Sequence, residues 1–253
     1  MSKFFTGPEN IGQNTIIIDS REDIHHMTKV LRLKEGDLVD VSDTVEWEYR
    51  AEIVSISSEE VQLRILDKQA FAAEPQTQVT LFQGIPKQGK METIIQKTVE
   101  LGVSRIVPVF MDRTVVVDRG NFTKKIQRWQ KVASEAVKQC KRGIIPEVSE
   151  AVKLSDVLES LADFDLVLLP YENEKGTTIK DVLLEAINPM AVEIFGRPEQ
   201  VAVIIGPEGG FSEKEAEKVI KAGGKSVSLG KTILRTETAG MAALSMIMYE
   251  LEM

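Results

Sequence analysis

From residue 79 onward the chain repeats one pattern, a short apolar run followed by a longer amphipathic stretch, and this repetition limits its fold more than any other feature. The runs at 79–83, 105–110, 165–169, 201–205 and 226–229 read as strands, and the stretches at 91–101, 124–139, 179–187, 212–222 and 236–251 as helices. In 91–101, Met91, Ile94, Ile95, Thr98 and Leu101 fall on one helical face, and Gly102 ends the helix. Ser212 and Glu215 form an S-x-x-E capping box, and Gly223 and Gly224 close that helix. The run from Val201 to Ile205 is apolar throughout, as expected of a strand covered on both faces. Strands separated by helices join in parallel, so this part of the chain is an α/β domain on a mainly parallel sheet. Pro108 cannot donate to a ladder and marks an edge or irregular position within 105–110.

The first seventy residues have a different character. The segments 15–19, 38–42, 49–56 and 61–66 are rich in β-branched residues and partly alternate, as half-buried strands do. A short helix is expected over 24–31, with Ser20 and Asp23 as caps and Gly36 closing the turn that follows. Several short strands with one small helix suggest a compact barrel-like module. Residues 68–78 are small or polar, include one proline and have no period, and read as a linker. The expected domains are therefore 1–72 and 75–253.

The single cysteine, Cys140, rules out an internal disulfide and makes a cytoplasmic location the default. The N-terminus lacks the apolar segment of a signal peptide, and the longest apolar runs are too short to span a bilayer, so no membrane partner is expected. The net charge of -8 argues against phosphate binding, but binding depends on patches. Two segments are locally basic. One holds His25, His26, Lys29, Arg32 and Lys34, and the other Lys124, Lys125, Arg128, Lys131, Lys138, Lys141 and Arg142 with only Glu135 opposed. Each is equally well read as the solvated face of a helix.

Ligands of open α/β sheets bind beyond the carboxyl ends of the strands. Three such ends carry unusual sequence: Leu169-Pro170-Tyr171-Glu172, Gly206-Pro207-Glu208-Gly209-Gly210-Phe211-Ser212, and the stretch 229–239. In the second, the glycines let the backbone approach a ligand, Pro207 stiffens the loop, and free helical N–H groups begin at Ser212. A well-capped βα turn would look the same. Familiar nucleotide sites are missing, because neither G-x-x-x-x-G-K-[ST] nor G-x-G-x-x-G occurs. With two adjacent histidines and one cysteine, no metal-ligand cluster is expected. G-x-S-x-G is also absent. Arg235 and Glu237 precede a nearly all-apolar helix. Glu237 suits a helix N-terminus on dipole grounds alone, whereas Arg235 is opposed by the dipole.

Taken together, I-G-P-E-G-G-F-S and the later L-G-x-x-I-L-R-x-E-T-A resemble the ribosomal RNA small subunit methyltransferase E family of the SPOUT superfamily, which makes N3-methyluridine in small-subunit ribosomal RNA. The segments HMTKVLRL at 26–33, KQGKMETIIQKTVELG at 87–102 and RWQKVASEAVKQCKR at 128–142 agree with it, so the resemblance covers nearly the whole chain. It implies an N-terminal PUA-like RNA-binding β-barrel over 1–72. Over 75–253 it implies a SPOUT α/β domain with a deep trefoil knot that binds S-adenosylmethionine and dimerises. The cofactor residues it implies are Leu169, Pro170, Ile205, Gly206, Pro207, Glu208, Gly209, Gly210, Leu229, Gly230, Ile233, Leu234, Arg235, Thr238 and Ala239. The RNA-binding residues it implies, together with the basic segments, are His26, Lys29, Arg32, Lys87, Lys90, Lys124, Arg128, Lys131, Lys138 and Arg142. The expected partner is 16S ribosomal RNA, within a small ribosomal subunit or its precursor.

Uracil N3 carries a proton, so methylation there needs a base or a group that stabilises the anion. Arg235 is the first candidate, because its cationic fork can stabilise a carbonyl oxygen or hold a phosphate. Glu208 or Glu237 would accept the proton or position the cofactor. Two alternatives are a SPOUT enzyme acting on transfer RNA and a non-catalytic RNA-binding or ribosome-assembly protein. The L-R-T-E-T-A ending speaks against the first, since ribose-methylating relatives have an asparagine- and serine-rich motif there. The helix 240–251 is apolar nearly all round, as a homodimer interface or a deep core position requires. Lys124, Lys131 and Lys138 are spaced seven apart and would form one stripe, acting with Lys29 and Arg32 as two jaws on phosphates.

Overall fold

The computed structural model describes residues 2–71, 74–118, 120 and 122–252. Ala72 and Ala73 of the expected linker, and Met1 and Met253 at the domain limits, lie outside the described residues. The chain divides into two compact units. One is Met1–Glu74 together with Val137–Ile145, and the other is Pro75–Ala136 together with Pro146–Met253.

The first unit holds β1 (Lys3–Phe5), β2 (Thr15–Ile18), α1 (Arg21–His25), β3 (Leu38–Ser42), β4 (Trp47–Ile56) and β5 (Val61–Ala70). The sheet runs in the order β1-β3-β4-β5-β2, with β1 parallel to β3 and the other neighbours antiparallel. Along β4, Tyr49, Ala51 and Ile53 point inward and are buried, as the two-residue period of a strand demands. They join Phe4, Ile16, Val39, Val41 and Leu63 in one core. Burial of a side chain such as Ile53 contributes about 1.5–3 kcal/mol.

Two local expectations are corrected here. Residues 68–70 belong to β5, not a linker, and pair with Trp47, Glu48 and Tyr49. Their polar composition reflects a strand whose end is exposed on both faces. The expected α-helix over 24–31 starts earlier, at Arg21 with a Ser20 cap, and widens into a π-turn over His26–Val30. The Leu31 N–H reaches back five residues to the His26 carbonyl (2.9 Å), while the Thr28 hydroxyl donates to the Ile24 carbonyl (2.7 Å) and competes for the helical acceptor.

The second unit begins with β6 (Gln78–Gly84), α2 (Lys90–Glu100), β7 (Arg105–Phe110) and α3 (Phe122–Cys140), whose last turn belongs to the first unit. It continues with β8 (Glu147–Val148), β9 (Val152–Lys153), α4 (Leu154–Ser160), β10 (Leu166–Pro170), α5 (Ile179–Ala186) and α6 (Pro189–Phe195). It ends with β11 (Gln200–Ile205), α7 (Glu213–Lys221), β12 (Lys225–Val227) and α8 (Thr236–Glu252). The sheet order is β12-β10-β11-β6-β7-β8, with β9 also on β7, and every pairing is parallel. The α/β class and parallel sheet read from the sequence therefore hold.

Pro108 sits inside the sheet, opposite Gln83 of β6. The Ile106 carbonyl faces β8, where it accepts the Ser149 N–H, and alternation turns the nitrogen of Pro108 to that same side. There the pairing passes from β8 at Arg105 and Ile106 to β9 at Val109 and Phe110, so no partner needs the N–H that proline lacks. The continuous apolar runs of β10 and β11 are buried on both faces. Because the strands are parallel, the chain leaves β6, β7, β10, β11 and β12 at one edge, and the candidate residues gather there.

Candidate functional site

At that edge the loop after β11 curls back on itself. The Gly210 N–H donates to the Pro207 carbonyl (2.9 Å) with Gly210 at φ +67, and a Cβ on Gly206 would come within 3.2 Å of the Gly210 backbone. The loop is held from four directions. The Thr236 hydroxyl, at the first residue of α8, donates to the Gly206 carbonyl (2.7 Å) and accepts from the Gln83 amide (2.9 Å), all of them buried. Gly84, at the end of β6, lies so close that a Cβ there would stand 2.5 Å from the Pro207 nitrogen. Arg113 donates from Nη1 to the Gly209 carbonyl (2.7 Å). The Ser212 hydroxyl donates to Asp112 (2.7 Å), and the buried Glu215 accepts both the Asp112 N–H (2.7 Å) and the Ser212 N–H (2.9 Å).

Glu208 leaves the loop and turns toward α2. Its carboxylate accepts the Lys87 N–H at 3.0 and 3.3 Å and pairs with Lys90 Nζ at 3.2 Å. The same Nζ stands 3.2 Å from Glu237 Oε2 on α8. Partial burial pushes the Glu208 carboxyl up, but its own N–H, the Lys87 N–H and the Lys90 ammonium outweigh this and leave it below the usual carboxylate range. The bond to Glu208, opposed by desolvation and aided by Glu237, raises Lys90 above its ordinary value.

Arg235 is exposed on the last residue before α8, and its carbonyl accepts the Thr238 and Ala239 N–H groups (2.8 Å each), opening the helix. Among the described residues no carboxylate pairs with its guanidinium. The segment 229–235 is irregular. Gly230 has φ +135 and open space where a Cβ would point, and Ile233 is 83% exposed. Leu169 and Ile205 are buried at their strand ends, and Pro170 is half-buried where Tyr171 N–H meets the Val227 carbonyl (3.0 Å). Among the described residues no group of three or more His, Cys, Asp or Glu side chains is placed to hold a metal ion.

A family model described as an RNA methyltransferase domain matches residues 73–248, and one described as an RNA methyltransferase PUA domain matches 18–66. The Ribosomal RNA small subunit methyltransferase E of Bacillus subtilis is 33% identical over 92% of this chain and 89% of its own length. The chain belongs to the ribosomal RNA small subunit methyltransferase E family. The family member of Buchnera aphidicola from Acyrthosiphon pisum is 32% identical over 94% of this chain and 89% of its own. The crystal structure of the Neisseria gonorrhoeae enzyme of this name, bound to S-adenosyl methionine, superposes with a TM-score of 0.81 at 26% identity, covering 98% of this chain and 97% of that one.

Within this family member the structure brings the carboxylates Glu208 and Glu237 together and gives several of the expected RNA-contact residues protein partners. Lys90 is held by those two carboxylates at 3.2 Å each. Arg142 is buried and forks onto Glu74 (2.8 and 3.2 Å), so it cannot reach RNA. Lys138 pairs with Asp23 (3.2 Å) and Arg128 with Glu92 (3.0 Å), which offsets charge that phosphates would otherwise meet. His26, Lys29, Arg32, Lys87, Lys124 and Lys131 are exposed. On α3, Trp129, Ala136 and Val137 are buried and Val132 is partly so. Sequence reasoning missed Gly84, Gln83, Arg113 and the Asp112–Glu215 bond. Gly84 ends β6 and Arg113 lies three residues past the end of β7, both at the carboxyl edge of the sheet, and that position was the available signal.

Proposed function

We propose that this chain methylates N3 of a specific uridine in small-subunit (16S) ribosomal RNA, using S-adenosylmethionine. Family membership supports methylation of ribosomal RNA. The observation that carries the reading at this site is the exposed Arg235 guanidinium, which pairs with no carboxylate among the described residues and stands one residue before the Thr236 that grips Gly206.

The residues present fit the cofactor. Among the described residues the N–H groups of 231–234 donate to no protein acceptor, and they lie beside exposed Ile233 and half-buried Leu229 and Leu234. Free backbone donors next to apolar side chains suit a flat heteroaromatic base. Leu169, Pro170, Ile205, Gly206, Pro207, Gly209, Gly210, Gly230, Thr238 and Ala239 complete the proposed cradle. When bound, S-adenosylmethionine supplies a sulfonium methyl, which needs no Lewis acid.

Loss of the N3 proton spreads negative charge onto the two flanking carbonyl oxygens of uracil. We assign Arg235 to stabilise that charge, since its cationic fork suits a carbonyl oxygen. Glu208 and Glu237 are both engaged by Lys90, and Glu208 is further held below the usual carboxylate range, so we assign them to positioning and let the proton leave to water. The target base would turn out of its stack to reach the strand ends.

The reading includes a closed PUA-like barrel, a trefoil knot and a homodimer. Closure is supported by the Thr6 hydroxyl, just past β1, which donates to Ile17 on the opposite end strand β2 (3.3 Å). The knot is supported by the path after β12, which leaves an edge of the sheet and returns to Gln83 on the inner strand β6 and to Gly206 just past the inner strand β11.

Mass mapping of nucleosides in 16S ribosomal RNA from cells lacking the gene tests the activity. One N3-methyluridine should be lost, returning with the wild-type gene but not with Arg235→Ala. Retention of every N3-methyluridine in the deletion strain would refute it.

A further inference from the structure

Lys90 occupies a place that local energetics disfavours. It is the first residue of α2, where the helix dipole repels a cation. It is nonetheless two-thirds covered, with its Nζ at 3.2 Å from carboxylates on two other elements, the 206–212 loop and α8. Neither carboxylate is a near neighbour in sequence, so the arrangement is tertiary and not a by-product of helix formation.

The geometry points to Lys90 as a positioning residue, the ionic bridge that locks the glycine-rich loop against the start of α8 in the conformation that receives the cofactor. This rests on the cofactor reading above. Glu208 is oriented by the Lys87 N–H on the segment leading into α2, and Lys90 then ties it to Glu237, two residues beyond Arg235. The lysine thus sets the distance between the loop and the Arg235 segment from the outer side, while the Gln83–Thr236–Gly206 bonds set it from the buried side. Without the ammonium, two carboxylates that share one cation would face each other unneutralised, and the loop would be pushed from α8.

Calorimetric titration of S-adenosylmethionine into the whole protein tests this, with thermal melting as the folding control. Lys90→Gln removes the charge while keeping a polar side chain one atom shorter, and should weaken affinity by about tenfold or more. Lys90→Arg should stay within about threefold of wild type, because it keeps the charge. The decisive variant is Lys90→Gln with Glu208→Gln. Removing one carboxylate relieves the repulsion, so this double variant should bind more tightly than Lys90→Gln alone. In the free protein, exchange of the Lys87 amide hydrogen should speed up in Lys90→Gln, independently of any cofactor.

Unchanged affinity in Lys90→Gln would overturn the bridge. So would a double variant no better than Lys90→Gln, since the lysine would then act through packing alone. Should Lys90→Gln fail to fold, Glu208→Gln and Glu237→Gln are compared singly and together. Non-additive losses would support a shared partner, and additive ones would overturn it. A wild-type protein that does not bind S-adenosylmethionine refutes the cofactor reading, whereas normal wild-type binding with an indifferent Lys90→Gln refutes only the bridge.

Discussion

Gly84 packs directly against the backbone of the glycine-rich loop. A Cβ there would meet backbone atoms, at 2.5 Å from the Pro207 nitrogen and 2.8 Å from the Gly206 carbonyl carbon, and backbone cannot rotate away as a side chain can. Gly84→Ala should therefore displace the loop, cost about 1–3 kcal/mol in urea unfolding and weaken S-adenosylmethionine binding strongly. At Gly209 the nearest atom to a Cβ is side chain, Arg113 Cβ at 3.0 Å. Gly209→Val should fold nearly normally yet lose cofactor affinity through blocked approach, and undiminished affinity there would sink the loop assignment. Arg142 gives the opposite kind of prediction. Its guanidinium and the Glu74 carboxylate are both nearly buried, so Arg142→Ala leaves a buried carboxylate without its countercharge, held by the Gly143 and Ile144 N–H groups, and should cost about 3 kcal/mol in the same assay. The ionic lock also sets a pH window. Glu208 is lowered, so its contribution is present above the ordinary carboxylate range and fades as pH falls through the lowered value. Lys90 is raised, so its contribution is present below the ordinary lysine range and fades as pH rises through the raised value. Cofactor affinity measured by calorimetry should accordingly be flat between about pH 5 and pH 9. A steep change near neutrality would mean that another group controls the loop.

At the scale of elements, legibility followed length and burial. The strands β6, β7 and β11 and the helices α2, α7 and α8 could be placed within a residue or two, because each buries a continuous run or a clear face. The two-residue strands β8 and β9 left no periodic trace, and β1 is only three residues long. Helix α6 buries none of its residues, so its sequence carried no inward stripe to read, although Asn188 caps it and Pro189 opens it. For the candidate site, the sequence offered the glycine loop, where backbone chemistry is special, and Arg235, which the helix dipole opposes. The rest was hidden where tertiary pairing decides, because no spacing reveals that Lys90 meets Glu208 and Glu237 or that Arg142 meets Glu74. This difference redirects the RNA prediction. With Lys138 held by Asp23, the cations to neutralise are the exposed Lys29 and Arg32, which flank the end of the π-turn. Lys29→Gln with Arg32→Gln should weaken RNA binding and reduce the steepness of its salt dependence by about one for each lost phosphate contact, leaving cofactor affinity unchanged. An unaltered salt slope in filter binding would place the RNA contacts elsewhere.

For the whole molecule, the open question is what covers the outer side of α8. The side of this helix turned toward its own chain buries Thr236, Gly240, Ala243, Leu244, Ile247, Met248 and Leu251. The remaining side carries Met241, Ala242 and Met246, each partly exposed, and Tyr249, which is 65% exposed. A helix with apolar residues around most of its circumference is expected to be covered on more than one side, and a single copy of the chain covers one. The proposed dimerisation through α8 would account for this composition, and a two-fold arrangement would place the same helix from each copy at the contact. Light scattering should therefore give twice the chain mass at micromolar concentration. Tyr249→Glu, which places a charge on the outer side without touching the buried one, should shift the protein to monomer with its melting profile largely retained. A monomeric wild type would refute the dimer outright. A Tyr249→Glu protein that stays dimeric would instead remove α8 from the interface.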